Sequence, residues 1–284
     1  GRTMADFALD PAFQDQLDWI RDFVSTEIEP LDVEFGGEHQ IYDKDHPVHR
    51  DHIRPLQDVV RARGLWSAHL TPEFGGQGYG QVRLAYMNEI LGRSGFAPSV
   101  FGCQAPDSGN AEIIAHYGND AQKRAYLQPL LEGRISSCYS MTEPGGGSDP
   151  SGFTTRAERD GDEWVISGEK WFASSFTHAA FTIVMAVTDP EVSVYRGTSM
   201  FLVPAGTPGM EVIRHTGMGY DPDGTGNHPY VRYDGVRVPA ENLLGGEGQA
   251  FAIAQTASVV GVSTTRCGPS APSRAASTCS ASGP

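Results

Sequence analysis

Apolar residues recur every three or four positions through the first 130 residues, a spacing that predicts a series of amphipathic helices. Over residues 10 to 30, Phe13, Leu17, Ile20, Val24 and Ile28 share one face. Asp10 is placed to cap that helix, Pro11 suits its first turn, and Pro30 is expected to stop it. A second helix is predicted from Asp51, presenting Ile53, Leu56, Val59 and Val60 before Gly64 ends it, and a third carries Val82, Tyr86, Ile90 and Leu91 up to Gly95. Further helices are predicted over 98–117 and 120–132.

From Ile135 the period changes. VISGEKWF, TIVMAVT, TSMFLVP, MEVIRH and YVRYDGVRVP are short runs rich in β-branched and aromatic residues, separated by Gly, Pro, Asp and Asn. They predict an antiparallel β-barrel or sandwich, with Asp160-Gly161 in RDGDEW marking a hairpin. A helical pattern resumes at Glu247–Gln255, with Phe251 and Ile253 as its apolar positions, and then collapses. The fold class expected is α+β: a helical domain over 5–134, a β domain over 135–245, the start of another helical segment at 246–256, and a non-native or disordered tail at 257–284.

That tail, from Ala257, is dominated by Ala, Ser, Pro, Thr and Arg and has no period. Codons joined across the recorded frame permit a glycine-rich start followed by a long amphipathic helix, so a frameshift after Thr256 is expected. At the other end, Gly-Arg-Thr before Met4 reads as an upstream start or a cloning remnant and is left out of the fold.

Composition narrows the partners. Acidic side chains outnumber basic ones 35 to 21, a net charge of -14 that would repel a phosphate backbone, so nucleic acid is not expected. No run has transmembrane length and the first thirty residues do not resemble a secretory leader, so no membrane partner is expected. Cys103, Cys138, Cys267 and Cys279 are scattered, which fits a reducing compartment and a cytoplasmic setting, or a mitochondrial matrix or peroxisome in a eukaryote. The histidines of DKDHPVHRDH match no zinc spacing and read as a solvated loop rather than a metal site.

The chemistry concentrates in CYSMTEPGGGSD, residues 138–149. Consecutive N–H groups in a glycine-rich turn make a concave donor surface suited to phosphate or to the edge of a polar heterocycle, and Thr142 and Ser148 add hydroxyls. By itself the triglycine is equally a strand-to-loop corner, since no P-loop lysine follows.

TEPGGGSD followed by GEKWF and VRVPAENLLGGEGQAF resembles the acyl-CoA dehydrogenase flavoprotein family, over residues 7–256. The resemblance implies an N-terminal helical domain, a middle β domain and a C-terminal four-helix domain that this sequence lacks. It further implies FAD as cofactor and fatty acyl metabolism, the reaction taking a proton from Cα of an acyl-CoA and a hydride from Cβ to leave a trans-2-enoyl-CoA. By that likeness Tyr139, Met141 and Thr142 lie along the flavin, Gly147 and Ser148 match positions near the pyrophosphate and the substrate, and Trp171 packs on the ring. The family's usual threonine is replaced at Ala173, so Ser174 or Ser175 substitutes for its hydroxyl. The stretch APDSGN resembles a subfamily associated with hydroxylated acyl-CoAs. Polar Gln104, Asp107 and Ser108 therefore either contact a polar acyl chain or bond to each other and to backbone, a helix cap explaining Asp107 or Ser108 equally well.

The family's base is a glutamate of the C-terminal domain. No residue here matches it, so the catalytic residue is unknown. The resemblance implies an acyl-CoA substrate, an electron-transfer flavoprotein as acceptor, and a homodimeric or homotetrameric parent enzyme of which this chain is a truncated, inactive form. A noncatalytic FAD- or acyl-CoA-binding module and an acyl-CoA oxidase are the alternatives.

Overall fold

The computed structural model describes residues 9–36, 41–216 and 227–255. The expected frameshift and the tail at 257–284 lie outside the described residues, as do Cys267 and Cys279. Packing divides the described residues into two compact units, the first comprising those up to Ile41 and Asp45–Gln104, the second Tyr42–Lys44 and those from 105 to 255.

The first unit is helical. Helix α1 (Pro11–Phe23) is capped by Asp10, whose Oδ1 accepts from the Phe13 amide at 2.9 Å, and it buries Phe13, Leu17, Ile20 and Phe23. Pro30 does not stop it. A wider π turn over Val24–Ile28 feeds directly into α2 (Glu29–Phe35), where Pro30 falls in the first turn and its missing N–H costs nothing. Gly36, with φ 57°, closes α2 in a left-handed cap.

Helix α3 (Arg54–Ala62) follows another π turn at His49–Ile53. The segment around His49 is therefore not a solvated loop: His49 is fully buried on the inner face of this turn. In α3 Gln57 is buried and donates to Ser99 O at 3.0 Å, whereas Val59, expected inside, is 43% exposed. In α4 (Gln81–Leu91), Ile90 and Leu91 are buried as expected, joined by Leu84, Met87 and Asn88, while Val82 turns outward. The helix expected over 98–117 is broken after α5 (Ala97–Val100). Gly102 takes a left-handed φ of 67° and Pro106 cannot donate an N–H, so helical bonding restarts only at residue 107.

The second unit begins with α6 (Asp107–Tyr117), followed by α7 (Asp120–Gln122), a π turn at Lys123–Leu127 and α8 (Gln128–Leu131). Asn119 and Gln122 form a reciprocal capping box at the start of α7. These helices share the unit with one eight-stranded sheet: β1 (Ser136–Ser140), β2 (Arg156–Asp160), β3 (Glu163–Lys170), β4 (Ala179–Val187), β5 (Thr198–Pro204), β6 (Met210–Thr216), β7 (His228–Pro239) and β8 (Leu243–Leu244). A single turn, α9 (Val194–Gly197), precedes β5.

The strand order is β6-β7-β3-β2-β4-β5-β8, with β1 beside β4. Pairing is antiparallel except where β1 and the first residue of β2 meet β4 in parallel. β2 and β3 form the predicted hairpin around Gly161, whose φ of 62° suits a tight primed turn. Alternate residues Trp164 and Ile166 on β3, Val184 and Ala186 on β4, Phe201 and Val203 on β5, and Val231 and Tyr233 on β7 fill a common core.

Candidate functional site

The sequence-predicted residues converge at the ends of two strands that are not neighbours in the sheet. β1 carries Tyr139 and runs out through Met141 and Thr142 into the glycine corner; β3 ends at Lys170 and delivers Trp171. Backbone stitches join the two exits: the Trp171 amide donates to Thr142 O at 2.7 Å, and Lys170 Nζ donates to Met141 O at 2.8 Å.

Beneath them lies a buried ion pair. Lys170 Nζ stands 2.9 Å from Glu143 Oε1, with side chains 0% and 2% exposed. Glu143 also accepts from the Thr154 amide at 2.6 Å, the Thr154 hydroxyl at 2.8 Å and the Thr155 amide at 3.0 Å, and Phe153 presents its ring face 4.3 Å from the ammonium. Burial alone would raise the Glu143 carboxyl; Lys170 and the threonine donors outweigh it and hold the group below its usual value. Burial pushes Lys170 down against the opposing pull of Glu143. The motifs TEPGGGSD and GEKWF contain both residues but do not by themselves mark them as a pair. The alternation along β3 contained the signal, since Trp164, Ile166, Gly168 and Lys170 share one face, and a lysine on a core face needs a partner.

Trp171 is half-buried and has two aromatic neighbours. Tyr230 lies nearly parallel to it at 5.5 Å and 14°, and Phe172, 43% exposed, at 5.4 Å and 19°. The Arg214 guanidinium sits 5.4 Å from its centroid. Tyr230 in turn donates to Glu169, which also pairs with Arg232. Among the described residues the buried indole Nε1 has no hydrogen-bond partner.

After Trp171 the chain makes a tight turn. Phe172 and Ser175 both take positive φ, 55° and 70°, which are rare for residues with side chains. The turn is held from outside: Ala173 N donates to Pro229 O at 3.1 Å and Ser175 N to Asn227 O at 2.9 Å. Within it, Ser174 Oγ is hydrogen-bonded to His228 Nδ1 at 2.7 Å, while Ser175 Oγ is buried with no partner among the described residues.

The glycine corner is open. Gly147, with φ 55°, and Ser148 are exposed, and no atom lies within 4 Å of where a Cβ on Gly145 or Gly147 would stand. Its frame is local: the Asp149 amide donates to Gly146 O at 2.9 Å and the Ser151 amide to Asp149 Oδ1 at 2.9 Å. Tyr139 is turned toward Met185, its hydroxyl 3.1 Å from Sδ, and burial pushes its phenol up.

The polar segment before α6 divides. Gln104 is half-buried at the end of the first unit. In the second unit, Asp107 Oδ1 accepts from the amide and the hydroxyl of Ser137, each at 2.7 Å, and Oδ2 lies 3.8 Å from Lys44 Nζ, so this carboxylate ties α6 to β1. Asn110 adds a bond to the Ser137 hydroxyl at 2.9 Å, and Ser108 is buried. Among the described residues no cluster of three His, Cys, Asp or Glu could hold a metal, and no helix is long and apolar enough to cross a membrane.

Comparison with known proteins assigns both parts of the chain. Residues 11–134 match the family description "Acyl-CoA dehydrogenase, N-terminal domain", and residues 138–230 match "Acyl-CoA dehydrogenase, middle domain". Acyl-CoA dehydrogenase family member 10 of Mus musculus is 36% identical over 263 residues, covering 90% of this chain and 24% of the relative. "Probable acyl-CoA dehydrogenase FadE2" of Mycobacterium tuberculosis is 38% identical over 207 residues, covering 72% of this chain and 50% of that one. A solved chain from Mycobacterium abscessus, assigned as an acyl-CoA dehydrogenase, superposes with a TM-score of 0.80 at 35% identity, covering 92% of this chain and 66% of its own length. The chain thus spans a quarter to a half of these curated relatives and about two thirds of the solved one. It belongs to the acyl-CoA dehydrogenase family of oxidoreductases, of which it carries the N-terminal and middle domains.

Proposed function

We propose that this chain forms the helical (5–134) and β (135–245) parts of an FAD-dependent acyl-CoA dehydrogenase, which converts an acyl-CoA thioester to its trans-2-enoyl-CoA and passes electrons to an electron-transfer flavoprotein. The observation that carries the reading is the Trp171 platform, a rigid indole stacked on Tyr230 and tied by its amide to Thr142 beside an open glycine corner. The donor set fits a flavin: one aromatic face, the hydroxyls of Thr142, Ser148 and Ser174, and unhindered backbone at Gly147.

When bound, FAD supplies the hydride acceptor for the substrate's Cβ. The chain's own residues bind and orient. Trp171 would fix the plane of the ring, Tyr139, Met141 and Thr142 would line it, and Gly147 and Ser148 would offer donors to phosphate and to the thioester end of the substrate. Of the polar positions at the start of α6, Ser108 is the one offered to a hydroxylated acyl chain. Asp107 is the weakest member of that group, because its oxygens are engaged by Ser137 and Lys44. No described residue is assigned as the base.

Titration of FAD into the purified chain tests this reading. Quenching of flavin fluorescence on binding is expected, with Trp171→Ala weakening it by about tenfold, the scale of a lost aromatic stack. Binding of FAD that is indifferent to Trp171, or no binding at all, would refute the assignment.

A further inference from the structure

The turn that follows Trp171 contains a pair that the flavin reading does not use. Ser174 Oγ and His228 Nδ1 are joined at 2.7 Å, between the end of the β3 hairpin strand and the first residue of β7. Three features mark it as a device for orienting a hydroxyl. First, the turn is strained, with positive φ at both Phe172 and Ser175, and strain of this kind persists where surrounding structure over-determines the backbone. Second, that over-determination comes from the His228 segment, since Pro229 O and Asn227 O hold the amides of Ala173 and Ser175. Third, the two serines are treated differently: Ser175 Oγ is buried with no partner among the described residues, while Ser174 is half-buried and bonded to the imidazole.

We propose that His228 is a positioning residue, which fixes the Ser174 hydroxyl at the edge of the Trp171 platform so that this hydroxyl, in place of one at Ala173, contacts the polar edge of the stacked ring. A free serine hydroxyl samples three staggered directions. With Nδ1 taking one of its hydrogen-bonding directions, the others are turned to fixed places, and the ring meets a preset partner rather than a rotor. The imidazole acts only through Ser174. The inference rests on the flavin reading of the same platform.

The test is FAD affinity of the 284-residue chain, followed by fluorescence quenching, with the absorption spectrum of the bound flavin as second readout. Ser174→Ala and His228→Phe should each weaken binding by about tenfold, the scale of one hydrogen bond to a heterocycle, and should shift the flavin band in the same direction. The double variant should be no weaker than either single one, because both remove the same contact. His228→Asn, which keeps a polar nitrogen or oxygen near the Nδ1 position, should restore affinity to within about threefold of the parent. If His228→Phe does not fold, the contrast between Ser174→Ala and His228→Asn still decides. Parent-like affinity and spectrum in Ser174→Ala, or losses that multiply in the double variant, would overturn the proposal while leaving the platform reading intact. A parent chain that binds no FAD would overturn both.

Discussion

Replacing Glu143 by Gln should be among the most damaging single changes in the β unit, and the structure says why it should exceed its reciprocal. Glu143 receives the Thr154 amide and hydroxyl, the Thr155 amide and Lys170 Nζ. Lys170, by contrast, has Glu143, one backbone carbonyl and the face of Phe153. Both side chains are shut away from water, so solvent screening does not discount the pair. Glu143→Gln removes the counter-charge and one of the two acceptor oxygens, so that either the ammonium or the Thr154 donors face an amide NH₂. Breaking a buried pair from one side costs about 3–5 kcal/mol. Burial already favours the neutral amine at Lys170, and loss of its proton relieves part of the penalty, which sets the expected loss near 3 kcal/mol. Lys170→Met leaves Glu143 with three donors and fills the space with a stem of similar length, for about 1–2 kcal/mol. Urea unfolding followed by near-ultraviolet circular dichroism measures both; at a slope of about 2–3 kcal/mol per molar, Glu143→Gln should lower the midpoint by roughly 1 M or more. Equal losses, a larger loss for Lys170→Met, or midpoints within about 0.3 M of the parent would refute the argument.

Three further outcomes follow from the same geometry. Because the Glu143 carboxyl is held below its unfolded value of 4.5, its contribution is complete above that pH and disappears as pH falls through the folded value; acid titration of unfolding should show this loss in the parent and a flatter profile in Glu143→Gln. Gly168→Ala should cost about 2–4 kcal/mol by thermal unfolding, since its φ is 147° and a Cβ would lie 2.5 Å from Thr155 Oγ1; a loss below about 1 kcal/mol would contradict the packing. Asp107→Ala should cost about 2–3 kcal/mol by stranding the amide and hydroxyl of Ser137, and hydrogen exchange at β1 should accelerate; unchanged protection there would remove Asp107 as the tie between α6 and β1.

Much of the architecture was legible in the sequence because period and capping are local. Asp10 and Phe13, and the Asp160-Gly161 hairpin, sit where their residue types dictate. The misses have non-local causes. Pro30 lies inside a helical run because a π turn re-phases the chain ahead of it, and Gln57 displaces Val59 from the interior because a carbonyl of Ser99, 42 residues away, waits for it. At the candidate site the motif supplied Thr142, Gly147, Ser148 and Trp171, whereas Tyr230 and His228 carry no local signature. Their importance arises from β7 running beside β3, a pairing that alternation predicts as strands but not as neighbours.

The strand order also bears on when this platform can exist during synthesis. Thr142 enters through a strand that must wait for β4, paired in parallel across some forty residues, and Trp171 gains its stacked tyrosine only from β7, still later in the chain. A ribosome-bound intermediate halted before residue 228 would expose an unsupported indole and a strained turn with nothing to hold it. Completion of the platform is thus a late event, gated by one strand's arrival rather than by the motif that first draws the eye.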